Sequence, residues 1–405
     1  MKKFVLMLTL AVAFVSCRKE SFEIVDPDRH YCYTYAAQFE TIWTGIDQGY
    51  VFWSRETIDW DSVHDALLPV FKAFDANGGA SDYELRAAYE NMVRGLLDHH
   101  MYVQVKNLKT GHSVTVSPAW LNHAVREDFH PDYVHQQVAM LSSMEGVTEY
   151  KEGHSDFPCY FALFPGNGDK KIAYLRFESF SVSSTVAAVQ SGYLPQSALA
   201  PLRAFYGTDV LGGVTNGWAA DPSVESVILD VRGNGGGNLS DLTPLVCSLN
   251  PTSLDYGYSR VKEGLGRLDY SEWTPFILNS PANHLNGDKK VVVLADCNSA
   301  SCSELTASLV QLMPQGTFIG ERTYGATCPL LPGGHDILYS GVFGDYDTYG
   351  YYVYTSNFDV VTKEYKSLEG IGVTPDIECP LDINDVIEGR DNQLERALQF
   401  IRTGK

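Results

Sequence analysis

The order of hydrophobic and polar positions divides the chain into a helical first part and an α/β second part. Between residues 31 and 100, apolar side chains recur every three to four positions, which predicts α-helices that each bury one face. Ser81 begins one of these stretches and Glu84 follows three positions later, the spacing of a helix-capping box. The last of the predicted helices runs up to residues 98–100.

Short apolar runs after position 170 predict buried strands. These runs are IAYLRF at 172–177, VILDV at 227–231, VVVL at 291–294 and FI at 318–319. Helical stretches separate them, so the predicted fold class is α/β. Residues 341–365 are aromatic and contain glycines, which predicts a β-hairpin, and residues 385–402 have the spacing of a closing helix.

These patterns predict six consecutive parts. They are a lipoprotein signal peptide at 1–17, a tether at 18–30, an N-terminal helical domain at 31–105, an intermediate segment without a clear pattern at 106–170, an α/β core at 171–385 and a C-terminal helix at 386–405.

The N-terminus has the features of a targeting segment. Lys2 and Lys3 precede an apolar run over residues 4–15, which is too short for a permanent transmembrane helix. Ser16 and Cys17 follow this run. A small residue directly before a cysteine is typical of bacterial lipoprotein signals, so Cys17 is expected to become the lipidated first residue of the mature chain. An ordinary cleaved signal peptide is the alternative.

Composition narrows the possible partners. The chain has 405 residues and a formal net charge of −20, which argues against binding to nucleic acid or docking on anionic lipid. Seven cysteines remain when Cys17 is set aside, and no two of them form a CxxC pair, so a zinc ribbon is not expected. An odd number of cysteines leaves at least one thiol outside any intrachain disulfide.

Residues 291–312 read VVVLADCNSASCSELTASLVQL, a buried strand followed by a turn and an amphipathic helix. The turn contains Ser299, Ser301 and Ser303. A hydroxyl at this point would lie at a helix N-terminus, where free N–H groups and the helix dipole favour developing negative charge. A serine nucleophile needs such a place. A serine-rich helix cap without catalytic function is the alternative.

Several motifs occur in one order along the chain. They are LDHH at 97–100, IAYLRFESF at 172–180, VILDVRGNGGG at 227–237, NSASCSE at 298–304, IGERTYG at 319–325 and EGIGVTPDIE at 369–378. This series resembles the S41 family of serine peptidases, which includes the C-terminal-processing and tricorn-core proteases. The resemblance covers most of residues 31–402. It implies an α/β spiral core of the Clp protease and crotonase type, preceded by an N-terminal helical domain.

The resemblance implies that Ser301 is the nucleophile, whereas Ser299 and Ser303 are turn and cap residues. The oxyanion hole of the family combines a backbone N–H of the glycine-rich turn with the N–H after the nucleophile. In this chain these groups would belong to Gly236 or Gly237 and to Cys302. Three successive glycines fit this role, because glycine allows positive φ and close backbone approach, but a simple tight turn would also contain them.

The chain differs from one branch of the family in the residue at the position of the general base. C-terminal-processing proteases use a lysine after the glycine of a Thr-Phe-Gly-Lys motif, and a glutamine four residues later. This chain has Ala326 and Leu330 at those two positions. Because alanine carries no exchangeable side-chain proton, a Ser/Lys mechanism at this site is excluded.

The tricorn-like branch instead takes its base from an Asp-x-His motif, which implies His100 as the base in this chain. Imidazole can accept the serine proton and return it to a leaving amine. The same branch has a glutamate that orients the histidine or binds substrate, and Glu369 matches it by position. A pair of helix-end histidines without catalytic function is the alternative, and a metal site built from Asp98, His99 and His100 is not expected.

These inferences predict a serine endopeptidase of the bacterial cell envelope that cleaves peptides or unfolded proteins and needs no cofactor or metal. A lipid anchor would hold it to a membrane, facing the periplasm or the exterior. One alternative is a catalytically inactive relative that binds peptides, motivated by the missing lysine. Another is crotonase-type chemistry on a thioester, because the same spiral fold occurs there.

Overall fold

The computed structural model describes residues 31–123, 131–330 and 339–405. The predicted signal peptide, the lipidation site Cys17 and the tether at 18–30 lie outside these residues. None of the helices within the described ranges combines the length and the apolar composition that a transmembrane span requires.

Helices occupy the N-terminal region and the connections between strands. They are α1 (Tyr35–Gly49), α2 (Trp60–Ala76), α3 (Asp82–Val93), α4 (Pro118–Asn122), α5 (Pro131–Met140), α6 (Val182–Gln190), α7 (Ala200–Tyr206), α8 (Leu242–Leu245), α9 (Cys302–Leu312), α10 (Tyr346–Tyr349), α11 (Ile383–Ile387) and α12 (Asn392–Thr403).

All strands of the described residues lie after residue 100. They are β1 (Tyr102–Lys106), β2 (Ser113–Val116), β3 (Glu149–His154), β4 (Phe157–Pro165), β5 (Lys171–Phe177), β6 (Val224–Asp230), β7 (Leu254–Arg260), β8 (Thr274–Leu278), β9 (Lys290–Ala295), β10 (Gly316–Gly320), β11 (Phe343–Asp345), β12 (Tyr351–Tyr354), β13 (Asp359–Thr362) and β14 (Ile377–Glu378).

A seven-stranded sheet forms the centre of the fold, with the strand order β14-β10-β9-β6-β5-β4-β3. The strands from β5 to β14 in this order pair in parallel, whereas β3 and β4 pair antiparallel. Helices cover both faces, which explains why the central strands are apolar without alternation. The predicted α/β class with a helical N-terminal region is confirmed.

The parallel pairing of β6 and β9 brings two turns together. Leu229 in β6 lies opposite Val293 in β9, so the two strands end at the same edge of the sheet. The turn after β6 contains the glycines 235–237, and the turn after β9 contains Ser301. Carboxyl ends of parallel strands are the usual place for a site in such sheets.

The capping box that the sequence predicts at the start of α3 is present, with reciprocal hydrogen bonds between Ser81 and Glu84. The predicted end of this helix at residues 98–100 is wrong, because α3 ends at Val93. Residues 98–100 instead form the turn that leads into β1.

A four-stranded sheet ties this turn to the C-terminal half of the chain. Its order is β11-β12-β1-β2, and Tyr102 lies opposite Tyr354. The hairpin predicted at 341–365 therefore exists as β11 and β12, but β12 also pairs with β1, and β13 belongs to a third sheet. The pairing of β1 with β12 places His100 beside the segment that follows Tyr354.

The closing helix expected over residues 385–402 is divided into α11 and α12. Leu394, Leu398 and Ile401 of α12 pack with Ile228 and Val292 on one face of the seven-stranded sheet. The opposite face belongs to the larger apolar core, which is continuous with the N-terminal helices.

Candidate active site

Ser301 lies at the end of the turn between β9 and α9 and is the N-terminal cap residue of α9. Its φ angle is +57°, a strained conformation for a residue with a side chain. Its N–H donates to the carbonyl oxygen of Ala326 at 3.0 Å and to the carboxylate of Glu304 at 3.1 Å. A sharp strand-to-helix turn of this kind presents a serine hydroxyl at a helix N-terminus.

Glu304 fixes the backbone around Ser301 and is fully buried. Besides the Ser301 N–H, its carboxylate accepts the hydroxyl of Thr323 at 2.5 Å and the N–H groups of Gly325 and Ala326 at 2.7 Å each. Burial raises the pKa of Glu304 to about 7. This carboxylate joins the Ser301 turn to the turn at 323–326. The three-residue spacing between Ser301 and Glu304, typical of a capping box, is the sequence signal that indicates this role of Glu304.

The glycine-rich turn lies directly against Ser301. Gly236 and Gly237 have φ angles of +95° and +141°, which favour glycine. The N–H of Gly236 donates to the side chain of Asn234 at 2.8 Å. Within the described residues, the N–H groups of Gly237 and Cys302 have no hydrogen-bond acceptor. Of the two glycines that the sequence offered for the oxyanion hole, Gly237 is therefore the one with a free donor.

Gly237 and Cys302 are also neighbours in space, because the Cys302 thiol donates to the Gly237 carbonyl oxygen at 3.2 Å. Burial raises the pKa of the Cys302 thiol to about 12, so this thiol stays protonated at neutral pH. The Cys302 N–H is at the first residue of α9, the Gly237 N–H belongs to the adjacent glycine turn, and neither has an acceptor among the described residues. Free backbone donors of this kind can stabilise an oxyanion.

His100 is half-buried, and its ring Nδ1 is screened from solvent without a hydrogen-bond partner among the described residues. Its backbone N–H donates to a carboxylate oxygen of Asp98 at 2.9 Å. Burial, with a smaller contribution from the charge of His99, lowers the pKa of His100 to about 4. At neutral pH the imidazole is therefore uncharged and can accept a proton.

Two buried carboxylates accompany His100. An oxygen of Asp98, an oxygen of Glu369 and a ring nitrogen of His100 all lie within 4.8 Å of one another. Burial raises the pKa of Asp98 to about 6 and raises that of Glu369 well above its usual range. If His100 is protonated, either carboxylate in its ionised form would stabilise the positive charge of the imidazolium.

Such a trio could in principle ligate a metal ion, but its oxygens are already in use. One oxygen of Glu369 accepts the His99 N–H at 2.9 Å, and the other accepts the N–H groups of Thr327 and Cys328 at 2.8 Å each. Both oxygens of Asp98 accept hydrogen bonds from Ser356. The arrangement fits carboxylates that hold the protein segments around His100 better than an open metal site.

His100 and Ser301 line one cavity of about 370 Å³, which we call the Ser301 cavity. Its full lining is His100, Glu178, Ser179, Gly235, Gly236, Gly237, Ser301, Leu330 and Tyr354. The lining within the described residues contains no lysine, and Leu330 is its one large aliphatic residue. The predicted nucleophile, base and glycine turn thus meet in one compartment.

Some residues of the site were not found from the sequence. Glu178, Ser179 and Tyr354 line the cavity although none of them was predicted to be a site residue; Glu178 and Ser179 lie within the motif at 172–180. Ser299, by contrast, is the turn residue that was expected, because its hydroxyl donates to the Val231 carbonyl oxygen at 2.7 Å.

One family model and two relatives that match this chain are described as peptidases. The model for Peptidase family S41 matches residues 171–379. A protein of Streptomyces coelicolor described as a tricorn protease homolog is 26% identical over 209 residues, 48% of this chain and 15% of that protein. The chloroplastic C-terminal processing peptidase of Tetradesmus obliquus is 26% identical over 165 residues, 40% of this chain and 28% of that protein. The matched part thus spans less than a third of either relative.

Solved structures share the fold over a larger part of the chain. A crystal structure of a protein assigned as a peptidase, from Parabacteroides merdae, has a TM-score of 0.61 at 21% identity and covers 92% of this chain and 98% of its own. Mature CPAF has a TM-score of 0.59 at 12% identity and covers 92% of this chain and 96% of its own. At these sequence identities, the similarity shows a shared fold alone.

Proposed function

This chain belongs to peptidase family S41, and we propose that it is a serine endopeptidase that cleaves peptides or unfolded proteins with Ser301 as nucleophile and His100 as base. The observation that carries the proposal is the Ser301 cavity, in which the strained serine, the uncharged histidine and the glycine turn face one space.

In the proposed mechanism, the Ser301 hydroxyl attacks the carbonyl carbon of a peptide bond while its proton passes to His100. The carbonyl oxygen becomes an oxyanion and accepts hydrogen bonds from the N–H groups of Gly237 and Cys302. His100 then gives the proton to the leaving amine, and the carbon–nitrogen bond breaks. A water molecule repeats the sequence on the acyl-enzyme and releases the acid.

The buried carboxylates have a supporting role in this proposal. Asp98 holds the backbone of His100, and Glu369 holds that of His99 and of residues 327–328. The imidazolium that forms on His100 during the reaction would lie within 4.8 Å of both side chains. The carboxylates therefore favour the proton transfer that the low pKa of the resting histidine would otherwise oppose.

A catalytically inactive, peptide-binding protein is the second candidate. Its support is Ala326, which stands where the C-terminal-processing branch has its lysine. The position of His100 in the lining of the same cavity as Ser301 favours the peptidase, because it brings an uncharged imidazole into the compartment of the nucleophile.

Substitution of the nucleophile tests the proposal. Ser301→Ala should abolish hydrolysis of reduced, alkylated casein, followed by the appearance of new peptide termini in mass spectra. Ser303→Ala is the matched control, because the Ser303 hydroxyl is buried, has no hydrogen-bond partner among the described residues and should tolerate removal. Equal hydrolysis by the wild type and by Ser301→Ala would remove the assignment.

We further propose that the protein is anchored in the bacterial cell envelope through a lipid on Cys17 and meets its substrates there. The support is the pair of lysines, the short apolar run and Ser16-Cys17 at the N-terminus. Cys17→Ser should move the protein from the membrane fraction to the soluble fraction of the cells. A membrane-bound Cys17→Ser variant would contradict the anchor.

A further inference from the structure

Strand β8 lies at the edge of its sheet. The three-stranded sheet has the order β13-β7-β8, so among the described residues β8 is paired with a strand on one side alone. That strand is β7, with Asp255 opposite Ile277 and Leu254 opposite Leu278. In the described parts of the chain, no backbone group of residues 275–279 hydrogen-bonds to a segment other than β7. Unpaired N–H and C=O groups on the open side of an edge strand can pair with another extended chain.

A cavity of about 680 Å³ runs along this open side, and we call it the β8 cavity. Its described lining consists of residues 237–240, Thr243, residues 276–279 and Leu330. Side chains of a strand alternate between its two faces, so a cavity on one face would contact every second residue. Contact with the consecutive residues 276–278 places the cavity beside the edge of β8 that β7 leaves open.

The β8 cavity adjoins the Ser301 cavity, because Gly237 and Leu330 line both of them. Gly237 carries one of the two proposed oxyanion donors and is exposed. A peptide whose scissile carbonyl oxygen accepted a hydrogen bond from the Gly237 N–H would therefore lie at the border between the two cavities. The peptide chain on one side of the scissile bond could then continue along β8.

The lining of the β8 cavity is uncharged and partly apolar. Its described residues include no aspartate, glutamate, lysine, arginine or histidine. Ile277 is 48% exposed although its side chain is large and apolar, and Phe276, Leu239 and Leu330 are half-buried. Apolar side chains on neighbouring strands stabilise the pairing of those strands when they contact each other. The cavity therefore favours an apolar side chain on a peptide that pairs with β8.

We propose that β8 binds the peptide substrate as an additional strand at its open edge, and that Ile277 selects an apolar substrate side chain. The inference rests on the proposed peptidase function and names its substrate class, which is extended polypeptides with an apolar residue close to the scissile bond. In this mode of recognition, backbone hydrogen bonds hold the peptide whatever its sequence, and side-chain contacts add the selectivity.

The first test replaces the backbone N–H groups of an internally quenched peptide by N–CH3, one position at a time and outside the scissile bond. Successive N–H groups of a strand point to opposite edges, so the effect should alternate along the peptide. Methylation at every second position should lower kcat/KM by about tenfold, the upper value for the loss of one hydrogen bond, mostly through a higher KM. Equal effects at all positions, or none, would contradict strand pairing.

Ile277→Lys tests the selectivity. The wild type should cleave a peptide with leucine near the scissile bond with about tenfold higher kcat/KM than the same peptide with glutamate, as expected for partial burial of one apolar side chain. Ile277→Lys should remove this preference or reverse it toward glutamate. Ile387→Lys is the matched control, because Ile387 is a 72% exposed isoleucine of α11 that lines neither cavity. An unchanged leucine-to-glutamate ratio in Ile277→Lys would overturn the proposal.

A second copy of the chain is the other extended partner that this edge could bind. Sedimentation equilibrium of the wild type and of Ile277→Lys distinguishes it from the substrate. A monomeric wild type with the alternating effect of N-methylation supports the substrate site. A dimer that Ile277→Lys dissociates, together with unchanged peptide selectivity, would contradict the proposal and assign the edge to self-association.

Failure of this inference can be separated from failure of the proposed function. Ser301→Ala with and without Ile277→Lys gives equilibrium affinities for the uncleaved leucine and glutamate peptides, and these do not require catalysis. Tighter binding of the leucine peptide only when Ile277 is present supports the β8 site even if the protein hydrolyses nothing. Equal binding in both backgrounds rejects the site even if the wild type is an active peptidase.

Discussion

A methyl group on the Cα atom of Gly236 would lie 2.6 Å from the Cβ atom of Ser301. It would also lie 2.9 Å from the amide nitrogen of Cys302, which is one of the two proposed oxyanion donors. Real Cβ atoms do not approach other atoms this closely, so the glycine turn and the serine turn can keep their positions only if residue 236 has no side chain.

Gly236→Ala should therefore displace the Ser301 turn and lower the rate at which a fluorophosphonate labels Ser301 by at least about tenfold, since small misplacements of reacting groups are costly. Gly235→Ala is the matched control, because a Cβ at Gly235 meets nothing within 4 Å. Labelling is measured by mass spectrometry at a series of times. Equal rates for the two variants would contradict the close packing of the two turns.

The pH dependence should reveal the low pKa of His100. With a pKa of about 4, His100 stays uncharged as the pH falls from 7 to 5, whereas an ordinary histidine would be protonated near pH 6.5. Hydrolysis of a neutral peptide should thus show its main acid limb near pH 4. Asp98, with a pKa of about 6, should add an earlier step, because its protonation removes a negative charge that stabilises the imidazolium of His100.

The profile is measured as kcat/KM against pH, with circular dichroism at each pH to confirm that the protein remains folded. Asp98→Asn should remove the step near pH 6 and keep the main limb. A single full limb near pH 6.5 in both proteins would show that His100 has an ordinary pKa or is not the base.

Asp98 connects two segments that are distant in the sequence. Its carboxylate accepts the His100 N–H at 2.9 Å, the Ser356 N–H at 2.7 Å and the Ser356 hydroxyl at 3.0 Å. An asparagine would turn an NH2 group toward an N–H donor. Asp98→Asn should therefore lower the free energy of unfolding by about 1–3 kcal/mol, the cost of a buried polar group without a partner.

Ser356→Ala is the matched comparison, because it removes the hydroxyl but leaves both backbone hydrogen bonds. It should cost about 0.5–1.5 kcal/mol, the net value of one hydrogen bond. Urea unfolding measures both variants. A larger loss for Ser356→Ala than for Asp98→Asn would reject the proposed link through the carboxylate.

Glu304 offers a similar test next to the nucleophile. Glu304→Gln replaces one oxygen of a carboxylate that accepts four hydrogen bonds, so at least one donor among Ser301, Thr323, Gly325 and Ala326 loses its acceptor. The variant should be less stable by about 1–3 kcal/mol and should label more slowly at Ser301. Glu378→Gln, at an exposed residue of β14, should change neither property. Similar behaviour of the two variants would contradict the role of Glu304.

The sequence predicts the features that depend on local pattern. The buried strand at 291–294, the turn and the helix that begins after Ser301 follow from apolar spacing, and the cap at Ser81 follows from residues three positions apart. The end of α3 was misplaced because apolar residues continue to Leu97, although the chain leaves the helix after Val93. There the backbone turns so that the N–H of Leu97 donates to Glu56.

The other features depend on contacts between distant parts of the chain. The link between Asp98 and Ser356 joins positions 258 residues apart, and no periodicity encodes it. The sequence also could not distinguish Gly236 from Gly237 as oxyanion donor, because the difference is the Asn234 side chain that accepts the Gly236 N–H. Tyr354 reaches the cavity through the pairing of β12 with β1, and Glu178 reaches it because it follows β5, which pairs with β6.

The central claim is that His100 activates the hydroxyl of Ser301, and the most direct test is to map the adduct of a fluorophosphonate on the intact protein by peptide mass spectrometry. The wild type should carry one adduct, on Ser301, and Ser301→Ala should carry none. His100→Ala should form the Ser301 adduct at least about a hundredfold more slowly, in line with the usual contribution of a general base. An unlabelled wild type, an adduct on another residue or equally fast labelling without His100 would contradict the account.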